Sequence, residues 1–544
     1  MKKNIVTSSI ILIFSGLITR ILGFVYRIYM SNIIGSMGMG LYQLVMPIYT
    51  LVWSITCSGF NTTISKLTSA EKAKGQYGNI RRFLIQAIVL TTGLAVLISL
   101  IMLFFADFIA TTIFNEPRIT LSIQVLAFAI PFMAIGSSIR GYFYGLHDAI
   151  IPAISQILEQ IVRLFVVYVV AARFMGRGIE VTIASMMVGV AAGEFIACIY
   201  VFLSYKDYNP SDEKRKKDRG SNRKTAKQIR KSFSNLETYT SKKSLYTLVA
   251  MSVPLSLSRV TGSLLSTLEN ILIPQRLMAF GMTQSEALSE FGKLTGMAMP
   301  LIQLPSVVLV ALSISLVPAI SEALAIKDYD KINNTVAKTM VFSMVVGVGG
   351  SAVFITFSDV LGELIYSQDI AFMLIYLGLL SPFLYANSLL TGVLNGLGLQ
   401  VFIFRNSLLA SIISISSIYF LVPIIGIYGF IFGWFMSLLL LCGINIWKIH
   451  HTAHINIDLI NWFLKPTLCA LFSIIVLGLI KDWFISAVGA LPATIVLVLT
   501  MGIIYLGMVI LSGCLKWSDL KNLRASRHST KKNMLGYKKT DDNW

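Results

Sequence analysis

Charged residues are scarce in this chain. Asp, Glu, Lys and Arg make up 13% of its 544 residues, whereas 55% are hydrophobic. A soluble domain carries about 25% charged residues, so this composition excludes an ordinary soluble globular protein. The short alternating segments of a membrane β-barrel are also missing.

Sequence signatures of common enzymes are missing too. No G-x-x-x-x-G-K-[ST] loop is present, so we predict no Walker-type ATP site, and no G-x-S-x-G nucleophile elbow is found. The 5 cysteines lie in apolar blocks or at their ends and show no pairing pattern. They are typical of small core residues rather than of disulfides or metal ligands. The motif His450-His451-x-x-His454 has no accompanying ligand pattern, and we predict no metal site there.

Long apolar blocks, such as 83–106 and 493–511, dominate the chain instead. A transmembrane helix needs about 20 mainly apolar residues. The blocks therefore predict an all-α integral membrane protein with about fourteen transmembrane helices. The first block is too long for a signal peptide and lacks a small-residue cleavage site, so it should remain as helix one. The predicted spans are 5–30, 40–63, 83–106, 119–145, 150–172, 181–205, 245–272, 289–318, 334–358, 371–397, 403–424, 427–449, 460–480 and 489–513.

The positive charge follows the expected membrane topology. There are 45 Lys and Arg residues against 26 Asp and Glu residues, which gives a net charge of +19. With a cytoplasmic N-terminus, most of these cations fall in cytoplasmic loops and tails, above all in 206–243 and in the C-terminal tail. The positive-inside rule then places both termini in the cytoplasm. The basic segments indicate contact with anionic lipid rather than nucleic-acid binding, because no aromatic-rich binding module accompanies them. The outer side carries only Arg118, Arg173, Arg177, Arg276 and Lys481.

Two parts of the chain resemble each other. Thr19-Arg20-Ile21-Leu22-Gly23 matches Ser258-Arg259-Val260-Thr261-Gly262, and the motif that begins at Pro131-Phe132 matches the one at Pro382-Phe383. Six spans precede the basic segment, so the repeats should be parallel, related by an axis along the membrane normal. The predicted organisation is an N-lobe at 1–205, a cytoplasmic linker at 206–244, a C-lobe at 245–449, two extra helices at 450–513 and a basic tail at 514–544.

Ionisable residues inside the predicted spans are the best candidates for function. A cation at the bilayer centre costs at least about 2.5–3.5 kcal/mol, so it usually faces a cavity or a partner. Arg20, Arg163 and Arg259 lie roughly 20 Å from the cytoplasmic ends of their spans. Arg140 lies near a cytoplasmic end, and we expect it to snorkel. The full set is Arg20, Arg27, Arg140, Arg163, Arg259 and Lys293, with the acids Glu159, Glu194 and Glu269.

The spacing of these residues separates pairs from free cations. Glu159 and Arg163 are four apart in the favourable order for an intrahelical pair. Arg20 and Arg259 have no acid within four residues on their own helices and hold matching repeat positions. We expect these two to face each other and to bind an anionic substrate, because guanidinium groups match phosphate oxygens bidentately. The predicted substrate-binding residues are Arg20, Arg27, Arg163, Arg259 and Lys293. The three acids are predicted to form charge pairs or to couple transport to Na⁺ or H⁺.

Four stretches carry a resemblance to a known family: Thr19–Phe24, Gly40-Leu41-Tyr42 with Pro47, Gly59-Phe60 through Leu67, and Lys293-Leu294 through Ser321. They resemble the stage V sporulation protein B family, in the polysaccharide-exporter branch of the MOP superfamily, which includes the lipid II flippases. The resemblance implies a V-shaped, MATE-like fold of two lobes. It also implies flipping of an undecaprenyl-pyrophosphate-linked peptidoglycan precursor for the spore cortex. A peptidoglycan polymerase is a candidate partner.

The resemblance also carries site residues. In lipid II flippases, essential arginines of helix one and helix eight correspond to Arg20 and Lys293. A second helix-one arginine falls at Tyr26, next to Arg27, and this shift of one residue turns the charge by about 100°. Lys293 lacks the bidentate fork of an arginine.

Three other functions remain as alternatives at this point. A flippase for another polyprenyl-linked glycan would have nearly the same sequence features. A multidrug exporter would need acids at its cavity, whereas cations outnumber acids here. A membrane-embedded glycan polymerase would need a catalytic carboxylate on an external loop, and these loops are short.

Overall fold

The computed structural model describes residues 5–174, 176–207 and 241–514. Only the two ends of the predicted linker 206–244 and the first residue of the predicted tail 514–544 lie within the described residues. The described chain consists of helices joined by short turns and contains no strand. The predicted all-α class is therefore confirmed.

The first part of the described chain contains eight α-helices. They are α1 Ile5–Trp53, α2 Gly59–Lys74, α3 Tyr77–Phe104, α4 Ala106–Phe108, α5 Thr120–Ala127, α6 Ala129–Gly145, α7 Ile150–Phe174 and α8 Ile179–Asp207. Short π-helical segments at Ser54–Ser58 and Ile109–Ile113 and a 3-10 turn at Pro117–Ile119 complete this part.

The part after residue 240 contains twelve more α-helices. They are α9 Ser241–Ala279, α10 Gln284–Gly292, α11 Met299–Gln303, α12 Ser306–Ala325, α13 Tyr329–Thr356, α14 Ser358–Tyr366, α15 Ala371–Gly396, α16 Gln400–Phe420, α17 Val422–Ile425, α18 Ile427–Ala453, α19 Lys465–Val488 and α20 Ala490–Leu511. Two further π-helical segments occupy Lys293–Ala298 and Ile460–Leu464.

Twelve described helices are long and apolar enough to cross a membrane, or thirteen if the bent pair Pro117–Ala127 and Ala129–Gly145 forms one span. One of them is a continuous run of 64 residues, Ile11–Lys74, which contains most of the first predicted span and all of the second. Gly35 breaks this run with a φ of 65°, a left-handed value that favours glycine. The membrane-spanning character is confirmed, whereas the count of fourteen and the repeats remain predictions.

Local sequence signals explain several helix ends. At the start of α10, the Thr283 hydroxyl accepts a hydrogen bond from the Glu286 N–H, and the Glu286 carboxylate accepts one from the Thr283 N–H. This reciprocal capping box satisfies N–H groups that the first turn leaves free. At the end of α2, Gly75 takes a left-handed conformation, and its N–H bonds to carbonyls of the last turn.

The chain folds into two compact units. Unit 1 contains Met1–Leu301 and Ser407–Trp434, and unit 2 contains Ile302–Asn406 and Phe435–Trp544. Unit 1 therefore takes helices from both predicted lobes, and the predicted lobe boundaries remain a prediction. Phe83 and Phe143 lie fully buried in the core of unit 1, while Tyr385 and Trp462 are buried in a core of unit 2.

Candidate functional site

Four helices of unit 1 meet at a buried group of charged side chains. Arg163 on α7 forms an ion pair with Glu159, with 2.7 Å between Nη2 and Oε1. Arg140 on α6 lies 4.0 Å from Glu159 and 3.9 Å from Glu194 on α8. Tyr49 on α1 donates a hydrogen bond to the other oxygen of Glu194. We call these five residues the ion cluster.

Close packing of α7 on α8 brings the cluster together. A Cβ at Gly193 would lie 2.9 Å from the Glu159 carbonyl oxygen, and one at Gly189 would lie 2.4 Å from the Val167 side chain. Glycines four residues apart let two membrane helices approach this closely. Because Glu194 follows Gly193 directly, the close approach places its carboxylate beside the charges of α7.

The prediction that Arg140 snorkels to the membrane surface is wrong. The residue is only 8% exposed, and its guanidinium donates a hydrogen bond of 3.4 Å to the Ser155 hydroxyl on α7. The position of Arg140 near the cytoplasmic end of its predicted span suggested that its guanidinium could reach water. In the structure, however, α7 and α8 cover this face of α6. Sequence reasoning also missed Tyr49, because no local pattern indicates its contact with Glu194.

The ion cluster changes the charge balance of the predicted site. It contains two guanidinium groups and two carboxylates, so its cations already have anionic partners within unit 1. Arg163 has its carboxylate partner on the same helix, in the spacing that the sequence predicted. Such a buried, compensated group is better suited to holding helices together than to attracting a further anion.

Arg20, Arg27 and Arg259 stand apart from this cluster. None of the three has a carboxylate within ion-pair distance among the described residues. Arg20 and Arg259 are exposed, and Arg27 is partly buried. The Arg259 guanidinium carbon lies 5.9 Å from the centre of the Trp53 ring. A cation–π contact of this kind can orient a guanidinium without neutralising it.

The helix faces beside the two exposed arginines are open. A Cβ at Gly23, one turn after Arg20, would meet no atom within 4 Å. The same holds for Gly262, one turn after Arg259. The matching motifs on α1 and α9 thus both place an arginine on a helix face that the described residues leave exposed.

The remaining predicted residues differ in their partners. Lys293 is half-buried and donates a hydrogen bond of 3.1 Å to Glu290, so its charge has a local partner. Glu269 on α9 faces Ser414 on α16 and forms no ion pair with a described residue. The predicted roles of these residues in substrate binding or coupling remain predictions.

The three clustered histidines point to different neighbours. The His450 Nδ1 atom lies 2.6 Å from the Ile455 carbonyl oxygen. The His451 ring stacks on Trp447, and the His454 ring packs edge-on against Tyr329. These contacts give each imidazole a structural role at the end of α18.

The fold has known structural relatives in the MOP superfamily of membrane transporters. A lipid II flippase MurJ structure in an inward closed conformation matches with a TM-score of 0.68 and 14% identity, over 93% of this chain and 99% of that one. An inward-facing multidrug resistance MATE family transporter of the MOP superfamily matches with a TM-score of 0.63 and 11% identity, over 80% and 94% of the two chains. The predicted MATE- and MurJ-like fold is thereby confirmed.

Sequence comparison identifies the family within this class. The model of the polysaccharide biosynthesis protein family matches residues 5–324. Stage V sporulation protein B of Bacillus subtilis (strain 168) is 31% identical over 434 residues, which cover 79% of this chain and 80% of that protein. The chain therefore belongs to the polysaccharide biosynthesis protein family and is a relative of stage V sporulation protein B, as its motifs predicted.

Proposed function

We propose that this protein flips an undecaprenyl-pyrophosphate-linked peptidoglycan precursor, lipid II, across the cytoplasmic membrane for spore cortex synthesis. The observation that carries the proposal is the pair Arg20 and Arg259, two membrane-embedded cations without a described carboxylate partner on open helix faces. Membership of the polysaccharide biosynthesis family and the likeness to a lipid II flippase support a lipid-linked glycan as the cargo.

The chemistry of the cargo explains why these arginines would be retained. A pyrophosphate crossing the hydrocarbon must exchange its hydration for other hydrogen-bond donors, and an unpaired charge there is costly. Guanidinium groups offer paired N–H donors that match phosphate oxygens. Arg20 and Arg259 would bind the pyrophosphate on opposite sides. Arg27 and Lys293 would lie along the same path, and Lys293 would bind phosphate more weakly because its ammonium lacks the bidentate fork of an arginine.

The first test compares arginine variants in reconstituted vesicles. We expect Arg20→Ala and Arg259→Ala each to reduce lipid II flipping at least tenfold, because each removes a bidentate phosphate donor. Arg405→Ala removes the same charge from an exposed position on α16 and should leave flipping unchanged. Normal flipping by either variant, inserted at wild-type levels, would contradict the proposal.

A flippase for another polyprenyl-linked polysaccharide unit is the second candidate, favoured by the match to the polysaccharide biosynthesis family as a whole. The same vesicles, loaded with lipid II or with a different polyprenyl-pyrophosphate glycan, separate the two by their relative rates. A MATE-type multidrug exporter is the third candidate. Its organic cations would be repelled by Arg20 and Arg259, so we expect no export of ethidium.

Alternating access would move the cargo without an ATP site in this chain. A Na⁺ gradient, a H⁺ gradient, the membrane potential and downhill flow are all compatible with the fold, and Glu159, Glu194 and Glu269 are the candidate coupling groups. We place both termini in the cytoplasm, as the positive-inside rule predicts. A peptidoglycan polymerase on the outer side would consume the flipped precursor.

A further inference from the structure

The guanidinium of Arg259 lies against an aromatic ring from another helix of unit 1. Its central carbon is 5.9 Å from the centre of the Trp53 ring, within the distance of about 6 Å at which the face of an indole attracts a cation. Trp53 is half-buried and is the last residue of α1, whereas Arg259 is exposed on α9. The contact therefore joins two helices that are far apart in the sequence.

The residue after Trp53 ties the end of α1 to α9. The Ser54 hydroxyl donates to the Thr50 carbonyl oxygen at 2.9 Å, and its oxygen lies 2.6 Å from the Ser263 hydroxyl oxygen. Ser263 lies one turn after Arg259, and residues four apart share a helix face. Because Trp53 and Arg259 each lie beside one partner of this hydrogen bond, it keeps the ring close to the guanidinium.

Close packing further along the same face of α9 holds the two helices together. A Cβ at Gly59 would lie 2.2 Å from the Ser252 carbonyl oxygen and 2.3 Å from the Ser256 hydroxyl oxygen, so no side chain fits in that space. Ser256, Arg259 and Ser263 are three and four residues apart, and this spacing places them on one face of α9. The arginine therefore lies between two fixed points of contact on its helix.

The π-helical segment Ser54–Ser58 begins directly after the ring that contacts the arginine. Single π-helical turns within longer helices occur often at functional sites. Here the Thr56 hydroxyl donates to the Val52 carbonyl oxygen at 2.8 Å, a bond of the kind that serine and threonine side chains make to the preceding turn of a helix. The backbone that carries Trp53 is thus fixed where the hydrogen-bond pattern of the helix changes.

A cation–π contact suits a guanidinium that must also bind phosphate. The attraction comes from the face of the indole and uses no particular N–H donor, so the N–H groups can still bond to phosphate oxygens. A carboxylate partner would occupy those donors and neutralise the charge. Within the part of the chain that the structure describes, Arg259 has no carboxylate at ion-pair distance.

We propose that Trp53 is a positioning residue for Arg259, whose guanidinium it holds in place before the pyrophosphate of the cargo binds. The inference rests on the proposed function, because it assumes an anionic cargo at Arg259. An exposed arginine side chain loses rotamer freedom when it binds a ligand, and a contact made beforehand reduces that loss. Removal of the ring should therefore weaken cargo binding without slowing the later steps of transport.

The first experiment measures flipping over a range of lipid II contents in reconstituted vesicles. We expect Trp53→Leu to raise the half-saturating content about three- to tenfold, a range that a cation–π contact can supply, and to leave the maximal rate unchanged. Trp53→Phe keeps an aromatic ring and should restore most of the affinity. Trp483→Leu removes an exposed indole that contacts Phe484 on α19 and should change neither quantity.

Three outcomes of this experiment would overturn the proposal. One is an unchanged half-saturating content in Trp53→Leu. Another is an equal loss of affinity in Trp53→Leu and Trp53→Phe, because a role in packing alone would not require an aromatic side chain. The third concerns the Arg259→Ala background, in which Trp53→Leu should have no further effect because no guanidinium is left to orient. An additional loss there would contradict the positioning role.

A second experiment requires neither flipping nor a glycan. With fluorotryptophan in place of the 7 tryptophans, the fluorine NMR signal of Trp53 is the one that disappears in Trp53→Phe. We expect Arg259→Ala to shift this signal, because it removes the charge beside the ring. Farnesyl pyrophosphate, added to the full-length protein in detergent, should shift the signal in wild type and leave it unchanged in Arg259→Ala.

The two experiments separate the positioning role from the cargo. If farnesyl pyrophosphate shifts the Trp53 signal only when Arg259 is present, in a protein that does not flip lipid II, the positioning role is supported and the proposed cargo is contradicted. A Trp53 signal that is unaffected by Arg259→Ala, or that responds to the pyrophosphate equally in wild type and Arg259→Ala, would overturn the positioning role whatever the protein transports.

Discussion

At the residue scale, the structure divides the intramembrane arginines into two groups with different physical roles. Arg140 and Arg163 lie within 4.0 Å of carboxylates. Arg20 and Arg259 have no such partner among the described residues and stand beside open space. A buried charge that loses its only partner becomes costly, whereas an unpaired cation at an open face remains available for an anionic ligand.

The stability of the ion cluster can be measured by a double-mutant cycle. We expect Arg140→Gln and Glu194→Gln each to destabilise the protein by about 3 to 5 kcal/mol, because each leaves an uncompensated buried charge. The double variant should lose less than the sum of the two, by a coupling of about 0.5 to 3 kcal/mol. Thermal unfolding in detergent gives these differences.

An exposed ion pair provides the control for this cycle. Lys331 and Glu322 lie 3.8 Å apart with exposed side chains, and such pairs contribute only about 0 to 1 kcal/mol. Lys331→Gln and Glu322→Gln should therefore change little. Simple additivity of the Arg140 and Glu194 substitutions would show that the two side chains do not interact.

At the element scale, the π-helical segment Lys293–Ala298 shows how one proline determines a contact between helices. Pro300 cannot donate to the Thr295 carbonyl, and Gln43 bonds to that carbonyl instead. Gln43 and Pro300 are both visible in the sequence, but no local sequence pattern connects them. An ordinary α-helix at this position would have left Gln43 without this acceptor.

A compensating substitution tests this account of the segment. We expect Gln43→Leu to destabilise the protein by about 1 to 3 kcal/mol, because it leaves the Thr295 carbonyl without a donor. In a Pro300→Ala background the new N–H at position 300 can bond to Thr295, so the same change should cost much less. Equal losses of melting temperature in the two backgrounds would contradict the explanation.

At the scale of the whole molecule, the membrane-embedded acids are distributed unequally. Glu159 and Glu194 belong to the ion cluster, which links α1, α6, α7 and α8 within unit 1. Glu269 faces Ser414 and has no ion pair among the described residues. Of these three described acids, Glu269 alone could take up a cation or a proton without breaking an ion pair.

This difference predicts which acid would couple transport to an ion gradient. We expect a Na⁺ or H⁺ gradient to accelerate flipping by the wild-type protein and to have no effect on Glu269→Gln. Flipping should be measured in vesicles with each gradient imposed separately. An acceleration by the gradient that persists in Glu269→Gln would exclude this residue as the coupling group. As a control, wild type and Glu269→Gln should flip at the same rate when no gradient is imposed.

Much of the architecture was predictable from the chain alone. Apolar blocks of membrane length determine that the protein spans the bilayer as helices. Within lipid, a helix satisfies the hydrogen bonds of all its backbone N–H and C=O groups, which an open strand or loop cannot do. The spacing of Glu159 and Arg163 was sufficient to predict their pair, since residues four apart lie on one helix face. The family followed from short motifs around Arg20, Gly40 and Gly59.

Only the tertiary structure decided which helices share their polar groups. The partners of Arg140 lie on α7 and α8, and the partner of Gln43 lies in the segment before Pro300. Helix periodicity fixes neighbours within one helix, but contacts between distant helices depend on how their surfaces pack. For that reason the sequence determined a membrane protein with cations inside its predicted spans, and the packing of its helices decided which of those cations have carboxylate partners among the described residues.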